Sequence, residues 1–281
     1  MKLIYTGKEL IKFREHLDDI KKSVGLVPTM GALHKGHLSL VEEAERQVDS
    51  VIVSIFVNPT QFNNPEDLKN YPENLDRDIE LLNKYSKIEA VFVPDVKDIY
   101  PTKDTRVFDF GNLDKVMEGA YRKGHFNGVA QIVSKLFVLA KPHKVFFGLK
   151  DFQQLVIIKD LVQQMKMDIQ IVACPIIRES DGLAMSSRNQ LLSPQERQHA
   201  VMISKTLSEG KKKAFEMNLD KFKEWVIFTL NNDPFIEVEY FEIVDTIKLN
   251  PITNWEQPGE KIGCIAVRIG KIRLIDNLIF H

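Results

Sequence analysis

Apolar residues recur along this chain with two alternating periods. Short β-branched runs bounded by turn residues give way to stretches in which apolar positions return every three or four residues. Residues 23–28 (SVGLVP) predict a short buried strand, and residues 51–57 (VIVSIFV) a central one. Between them Leu40, Val41, Ala44 and Val48 mark one face of a helix over residues 38–48. The same reading gives a helix at 75–85, a strand at 90–94 and a largely apolar helix at 128–140. A strand at 145–147 ending at Gly148, a helix at 152–165 and a strand at 169–173 follow. Strands alternating with helices predict an α/β fold, a parallel sheet covered on both faces.

The pattern changes after Arg188. Ser193, Pro194 and Glu196 form a capping box with Pro at the first helical position, so a helix starts there. A second helix spans 219–230, and strand-like runs cover 238–244, 262–269 and 272–279, the last two joined by a turn at Gly270-Lys271. That is a smaller C-terminal α+β domain. The boundary falls within residues 176–188, dividing the chain into 1–180 and 181–281.

Composition narrows the field. The 281 residues suit about two domains. Formal net charge is -1, from 38 Lys and Arg against 39 Asp and Glu, which speaks against a broad nucleic-acid or anionic-membrane surface. The first residues do not have the form of a signal peptide. No apolar run is long enough to cross a bilayer. Cys174 and Cys264 sit far apart in apolar runs and are expected as buried thiols. A cytoplasmic protein is expected.

Ligands of a doubly wound sheet bind at the carboxyl ends of its strands. After the first strand come His34, Gly36 and His37, with a helix beginning at or just after His37. A helix start attracts phosphate, glycine lets backbone approach closely, and imidazoles donate to phosphate oxygens. The alternatives are two solvated loop histidines or half a metal site, though no further metal ligands lie at a recognisable spacing. After the next strand Asn58 and Gln61 offer amides that orient a small polar ligand, or serve an Asn-Pro turn. After residues 145–147 come Gly148, Leu149, Lys150, Asp151 and Gln154. Lys150 offers a mobile charge to a polyphosphate, while Asp151 and Gln154 also fit a helix-capping box. Ser186, Ser187 and Arg188 form a donor cluster or an exposed linker. Residues 122–128 are basic and suit an ordinary loop with Asn127 as a helix cap. Walker A and G-x-G-x-x-G patterns are missing from the sequence. The sum is a nucleoside-triphosphate site of another kind, suited to attack at the α-phosphate with pyrophosphate leaving.

The combination of VPTMGALHKGH (27–37), SIFVNPTQF (54–62), GHFNGV (124–129), FFGLKDFQQL (146–155) and DGLAMSSRN (181–189) resembles the pantoate–β-alanine ligase (pantothenate synthetase) family over essentially the whole chain. The resemblance implies a Rossmann-like domain of the H-x-G-H nucleotidyltransferase superfamily. ATP, accompanied by Mg²⁺, would adenylate (R)-pantoate. β-Alanine would then attack pantoyl adenylate, giving pantothenate and AMP. A cytoplasmic homodimer whose C-terminal domain closes over the site is also implied.

By motif position the resemblance places ATP along Met30, Gly31, Ala32, Leu33, His34, Lys35, Gly36 and His37, the two histidines at the phosphates. Gly148 and Asp151, beside Leu149, would meet the ribose. Lys150, Ser186, Ser187 and Arg188 would hold phosphates. Met185 would flank the nucleotide, and Ile177 would offer backbone atoms to adenine. Gln61 and Gln154 would hold pantoate, Gln61 also meeting β-alanine, with Asn58 supporting that pocket. His37, His34 and Lys150 would carry the catalysis, with His37 a charge stabiliser because carboxylate attack removes no proton. Many family members have Glu where this chain has Leu149, so local charge and ion dependence are expected to differ. A plain adenylyltransferase or a nucleotide-binding protein without catalysis are the competing expectations.

Overall fold

The computed structural model describes residues 1–280. The first unit is laid down as β1 (Lys2–Ile4), α1 (Gly7–Asp19), β2 (Val24–Thr29), α2 (Lys35–Gln47), β3 (Ser50–Ile55), α3 (Pro65–Lys69), α4 (Leu75–Leu82), β4 (Ile88–Phe92), α5 (Val96–Ile99), α6 (Met117–Tyr121), α7 (His125–Ala140), β5 (Lys144–Gly148), α8 (Phe152–Gln164) and β6 (Gln170–Cys174). Its six strands pair in the order β1-β4-β3-β2-β5-β6, all parallel. The chain runs outward from β2 through β3 to β4, then returns to β2's other side for β5. The carboxyl ends of β2 and β5 therefore flank a switch point, where a crevice opens.

Strand alternation decides which face each side chain serves. Leu26, Ile52, Phe92, Val145 and Phe147 pack with Leu10 and Leu17 of α1, Phe126 to Phe137 of α7 and Leu155 to Leu161 of α8. Their neighbours Val27, Val51, Val53, Val91 and Phe146 pack on the opposite face with Leu40, Val41 and Ala44 of α2 and Leu82 of α4. Both faces are covered, as the near-continuous apolar strands require.

The second unit holds α9 (Pro194–Lys213), α10 (Leu219–Asn231) and an antiparallel sheet of β7 (Ile236–Asp245), β8 (Lys261–Ile269) and β9 (Ile272–Phe280). Ser193 makes the expected capping box with Glu196. One sheet face packs on α9 and α10 through Phe241, Ile265 and Val267. The other, with Tyr240, Ile262, Cys264 and Ala266, packs against Phe152 and Val156 of α8 and Met117 of α6. Both cysteines are free and buried.

Three local expectations are corrected. α2 begins at Lys35, not after His37, because the histidines themselves form its cap. α7 begins at His125, so Asn127 lies inside it and caps nothing; its amide accepts from Phe108 N–H and donates to the Arg106 carbonyl. Asp151 makes no capping bond to α8; a 3-10 turn, Leu149–Asp151, leads into the helix instead.

Candidate active site

His34 is the N-cap of α2, and its Nδ1 accepts from Gly36 N–H at 3.1 Å. Three residues on, His37 Nδ1 accepts from His34 N–H at 3.3 Å. The pair thus forms a reciprocal capping box, a role usually taken by Ser or Thr with Glu or Gln. Each Nδ1 is an acceptor, so both rings are neutral and the donor each can offer is Nε2–H. Burial, aided by the Lys150 ammonium, pushes His34 down to about 4. Burial, the His34 ring and Lys150 push His37 well below its ordinary value. The rings lie 4.0 Å apart. Gly36 leaves room for this, since a Cβ there would stand 2.9 Å from the His34 ring.

The turn before this cap is strained. Gly31 (φ 80°) and Ala32 (φ 48°) are both left-handed. Asp78 of α4, 1% exposed, accepts from Leu33 N–H at 2.7 Å and holds the turn down. Ser187 reaches the same turn from the second unit, its hydroxyl donating to the Ala32 carbonyl at 3.1 Å.

At the end of β3, Pro59 opens a 3-10 turn, Pro59–Gln61. Asn58, 1% exposed, donates from Nδ2 to Gln61 Oε1 and to the Gly128 carbonyl, each at 3.1 Å. Gly128 is required there: a Cβ would lie 2.3 Å from the Thr60 carbonyl oxygen. His125 Nδ1 bonds the Gln61 carbonyl at 2.8 Å, and burial pushes this histidine down to about 3.

After β5, Asn277 of β9 donates from one amide nitrogen to the Leu149 and Lys150 carbonyls at 2.8 and 2.9 Å. That clamp sets the turn from which Lys150 rises, its ammonium 3.6 Å from Asp151. Helical phase separates the next two glutamines. Gln153 points inward and is fully engaged with Leu113, Val116 and Glu118 backbone. Gln154 faces the cleft.

The last wall is residues 176–188. Arg178 forks onto Asp276 of β9 at 2.6 and 2.9 Å. The Ile177 carbonyl accepts from Met185 N–H at 3.0 Å. Arg188 forks onto Asp67 of α3 at 2.9 and 3.3 Å, and its guanidinium lies 5.5 Å from the Tyr71 ring centre.

These pieces surround one cleft that opens to solvent. Met30, His34, Gly36, His37, Asn58, Gln61, Gly148, Lys150, Asp151, Gln154, Ile177, Met185, Ser186, Ser187 and Arg188 all line it. Gly31, Ala32 and Leu33 lie behind it as the buried turn, Lys35 is exposed, and Leu149 packs into the core beside the clamp. Sequence reading missed the wall formed by Phe56, Val129, Ile132, Val133, Leu136 and Phe147. It also missed Tyr71, Asp67 and Asp78. The apolar run of α7 was visible, but nothing in it announced a ligand wall.

A buried ion network joins α6 to β9. Glu118, 8% exposed, accepts from both terminal nitrogens of Arg273 of β9 at 2.7 and 2.8 Å and from Tyr240 OH at 2.8 Å. Burial alone would raise its carboxyl, but Arg273 and Arg122 outweigh it and hold it at about 2.

Residues 2–279 match the family model described as pantoate-beta-alanine ligase. The pantothenate synthetase of Bacteroides fragilis is 50% identical over 278 residues, 99% of this chain and 98% of that protein. That of Porphyromonas gingivalis is 47% identical over 99% of each chain. The crystal structure of pantothenate synthetase from Thermus thermophilus superposes with a TM-score of 0.91 at 39% identity, over 99% of both chains. Pantoate-beta-alanine ligase from Francisella tularensis, complexed with beta-gamma ATP and beta-alanine, gives 0.83 at 35% identity, covering 99% and 97%.

Proposed function

The chain belongs to the pantoate–β-alanine ligase family, and on that premise we propose how its cleft performs the ATP-dependent condensation of (R)-pantoate with β-alanine. The observation that carries the assignment is convergence: a histidine-capped helix start, Lys150 and Arg188 line the same cleft as an apolar wall and two glutamines. The apolar wall suits pantoate's two methyl groups, and Gln61 and Gln154 suit its oxygens. The α2 start, His34 and His37 Nε2–H, Lys150, Ser186, Ser187 and Arg188 suit a triphosphate. Gly148, Asp151, Ile177 and Met185 would border the nucleoside.

The pantoate carboxylate attacks the α-phosphorus and pyrophosphate leaves, giving pantoyl adenylate. No proton moves in this step. The neutral histidines therefore serve as fixed N–H donors to oxygens on which charge grows, alongside Lys150. The β-alanine amine then attacks the acyl carbon, loses a proton and expels AMP. Mg²⁺ would enter on the nucleotide's phosphates, where it neutralises charge; it commonly keeps several waters and binds through phosphates. Arg188 would exchange Asp67 for phosphate when ATP arrives. Residues 1–180 would form the substrate-binding domain and 181–281 the domain that completes it, in a cytoplasmic homodimer.

Product analysis tests this reading. Protein incubated with Mg-ATP, (R)-pantoate and β-alanine should give AMP and pantothenate together, and acyl adenylate with pyrophosphate when β-alanine is omitted. His37→Ala and Lys150→Ala should each lower turnover by about a hundredfold or more while the protein still folds. Near-normal turnover in both would remove the site assignment. Folded protein that binds ATP yet never releases AMP would favour a protein without this catalysis.

A further inference from the structure

We propose that Tyr100, which lies outside the cleft lining, is a positioning residue that holds in place the Asn58 amide orienting Gln61; the proposal rests on Gln61 being a pantoate contact. An amide's donor and acceptor ends have the same shape, so its direction is fixed only by a neighbour with one hydrogen-bonding sense. The Gly128 carbonyl is such a neighbour. It can only accept, so Asn58 must turn Nδ2 toward it, at 3.1 Å. The same nitrogen donates to Gln61 Oε1 at 3.1 Å. Asn58 Oδ1, on the other side, accepts from Tyr100 OH at 2.8 Å and from Thr60 Oγ1 at 3.1 Å. The reversed amide would set Asn58 Oδ1 against the Gly128 oxygen, acceptor facing acceptor.

Gln61 is thereby committed. Its oxygen faces Asn58, and its Nε2 meets Met30 Sδ at 3.1 Å, a weak acceptor that a substrate oxygen readily replaces. Gln61 is thus a donor to the substrate, and the pantoate group it meets must accept: a carboxylate or a hydroxyl lone pair. Tyr100 supplies the shorter of the two hydroxyl bonds to Asn58. Thr60's single proton is shared, since the Gly128 carbonyl also lies 3.4 Å from it. Tyr100 is itself pinned, with the Lys135 ammonium of α7 5.2 Å from its ring centre.

Steady-state kinetics on the full chain, with each substrate varied in turn, test this. Tyr100→Phe should raise the pantoate KM roughly fivefold, the worth of one net hydrogen bond, with the ATP KM within about twofold of wild type. Gln61→Glu keeps an oxygen for Asn58 but replaces the donor with an acceptor. It should lower kcat/KM for pantoate about a hundredfold, because a carboxylate then faces the substrate's oxygen. An unchanged pantoate KM in Tyr100→Phe, or equal rises for pantoate and ATP, overturns the positioning role. A Gln61→Glu protein within about threefold of wild type overturns the donor assignment, and it decides alone should Tyr100→Phe not fold. Calorimetric pantoate binding separates the two levels. Wild type that binds pantoate without making pantothenate refutes the ligase reading, and the two variants are then judged on pantoate affinity. Wild type that binds none refutes both.

Discussion

Gly128→Ala should damage activity through one methyl group that never reaches a ligand. Glycine inside a helix is normally a weak point, and alanine in its place stabilises by about 1 kcal/mol. Here the new Cβ would stand 2.3 Å from the Thr60 oxygen, 2.5 Å from its carbonyl carbon and 2.7 Å from Gln61 N. All three atoms are backbone, so no rotamer relieves the clash. Reaching even 3.0 Å, below which real Cβ contacts essentially do not occur, requires the Pro59–Gln61 turn and α7 to part by about 0.7 Å. Such overpacking costs about 1–3 kcal/mol, enough to cancel or reverse the helix gain. The same movement carries Gln61 with it and stretches the bond from Asn58 to the Gly128 carbonyl. A misplacement approaching 1 Å at a positioning group lowers rate by up to about a hundredfold. The assay is pantothenate formation with pantoate varied, beside a thermal melt and ATP binding. The expected result is kcat/KM for pantoate down by about ten- to a hundredfold, ATP affinity retained, and no gain in melting temperature. A variant that melts higher and turns over normally would show that the turn yields freely, and the argument from close approach would fail.

Two predictions concern acid. Glu118 is held at about 2 when folded against an ordinary value of 4.5, so its contribution of about 3 kcal/mol is present above pH 4.5 and is lost as pH falls from there toward 2; denaturant titrations of wild type and Glu118→Gln should converge over that window, and a constant gap would count against it. His34 is neutral when folded, with its value near 4 against 6.5, so the folded state loses stability as pH falls from 6.5 to 4. A polyphosphate beside the ring raises its affinity for protons, so ATP binding near pH 5 should take up protons. Calorimetry in two buffers of different ionisation enthalpy reads that uptake, and identical heats would contradict it.

The parallel sheet and its crossovers were legible because each strand is a short β-branched run ending in polar or turn residues. β1 and α1 were passed over, although Thr6 and Glu9 form a capping box at the head of α1. Most of the cleft was legible too, because its polar residues cluster just past strand ends. What escaped depended on phase and on tertiary partners. His34 and His37 read as ligands but not as a cap, since histidine seldom fills that position. Adjacent Gln153 and Gln154 look equivalent until the helix turns one inward. Asp67 and Tyr100 sit in stretches with no pattern of their own, and Asp78 sits in a helix whose pattern does not single it out. They acquire meaning from contacts with Leu33, Arg188 and Asn58, at least 42 residues away in each case.

The cross-sheet ties bear on how relatives of this chain can be recombined. Asn277 grips the Leu149 and Lys150 carbonyls, Asp276 grips Arg178, and Arg273 grips Glu118, so three positions on one strand tie it to the Lys150 turn, to the wall formed by residues 176–188 and to α6. A chimera joined between the two sheets would inherit mismatched handshakes at the two side-chain pairs, Asp276 with Arg178 and Arg273 with Glu118. Exchange of the C-terminal portion between relatives therefore has to carry Glu118 and Arg178 along with β9 as one heritable block, though they are far apart in the gene, whereas Asn277 meets only backbone carbonyls that any residues supply.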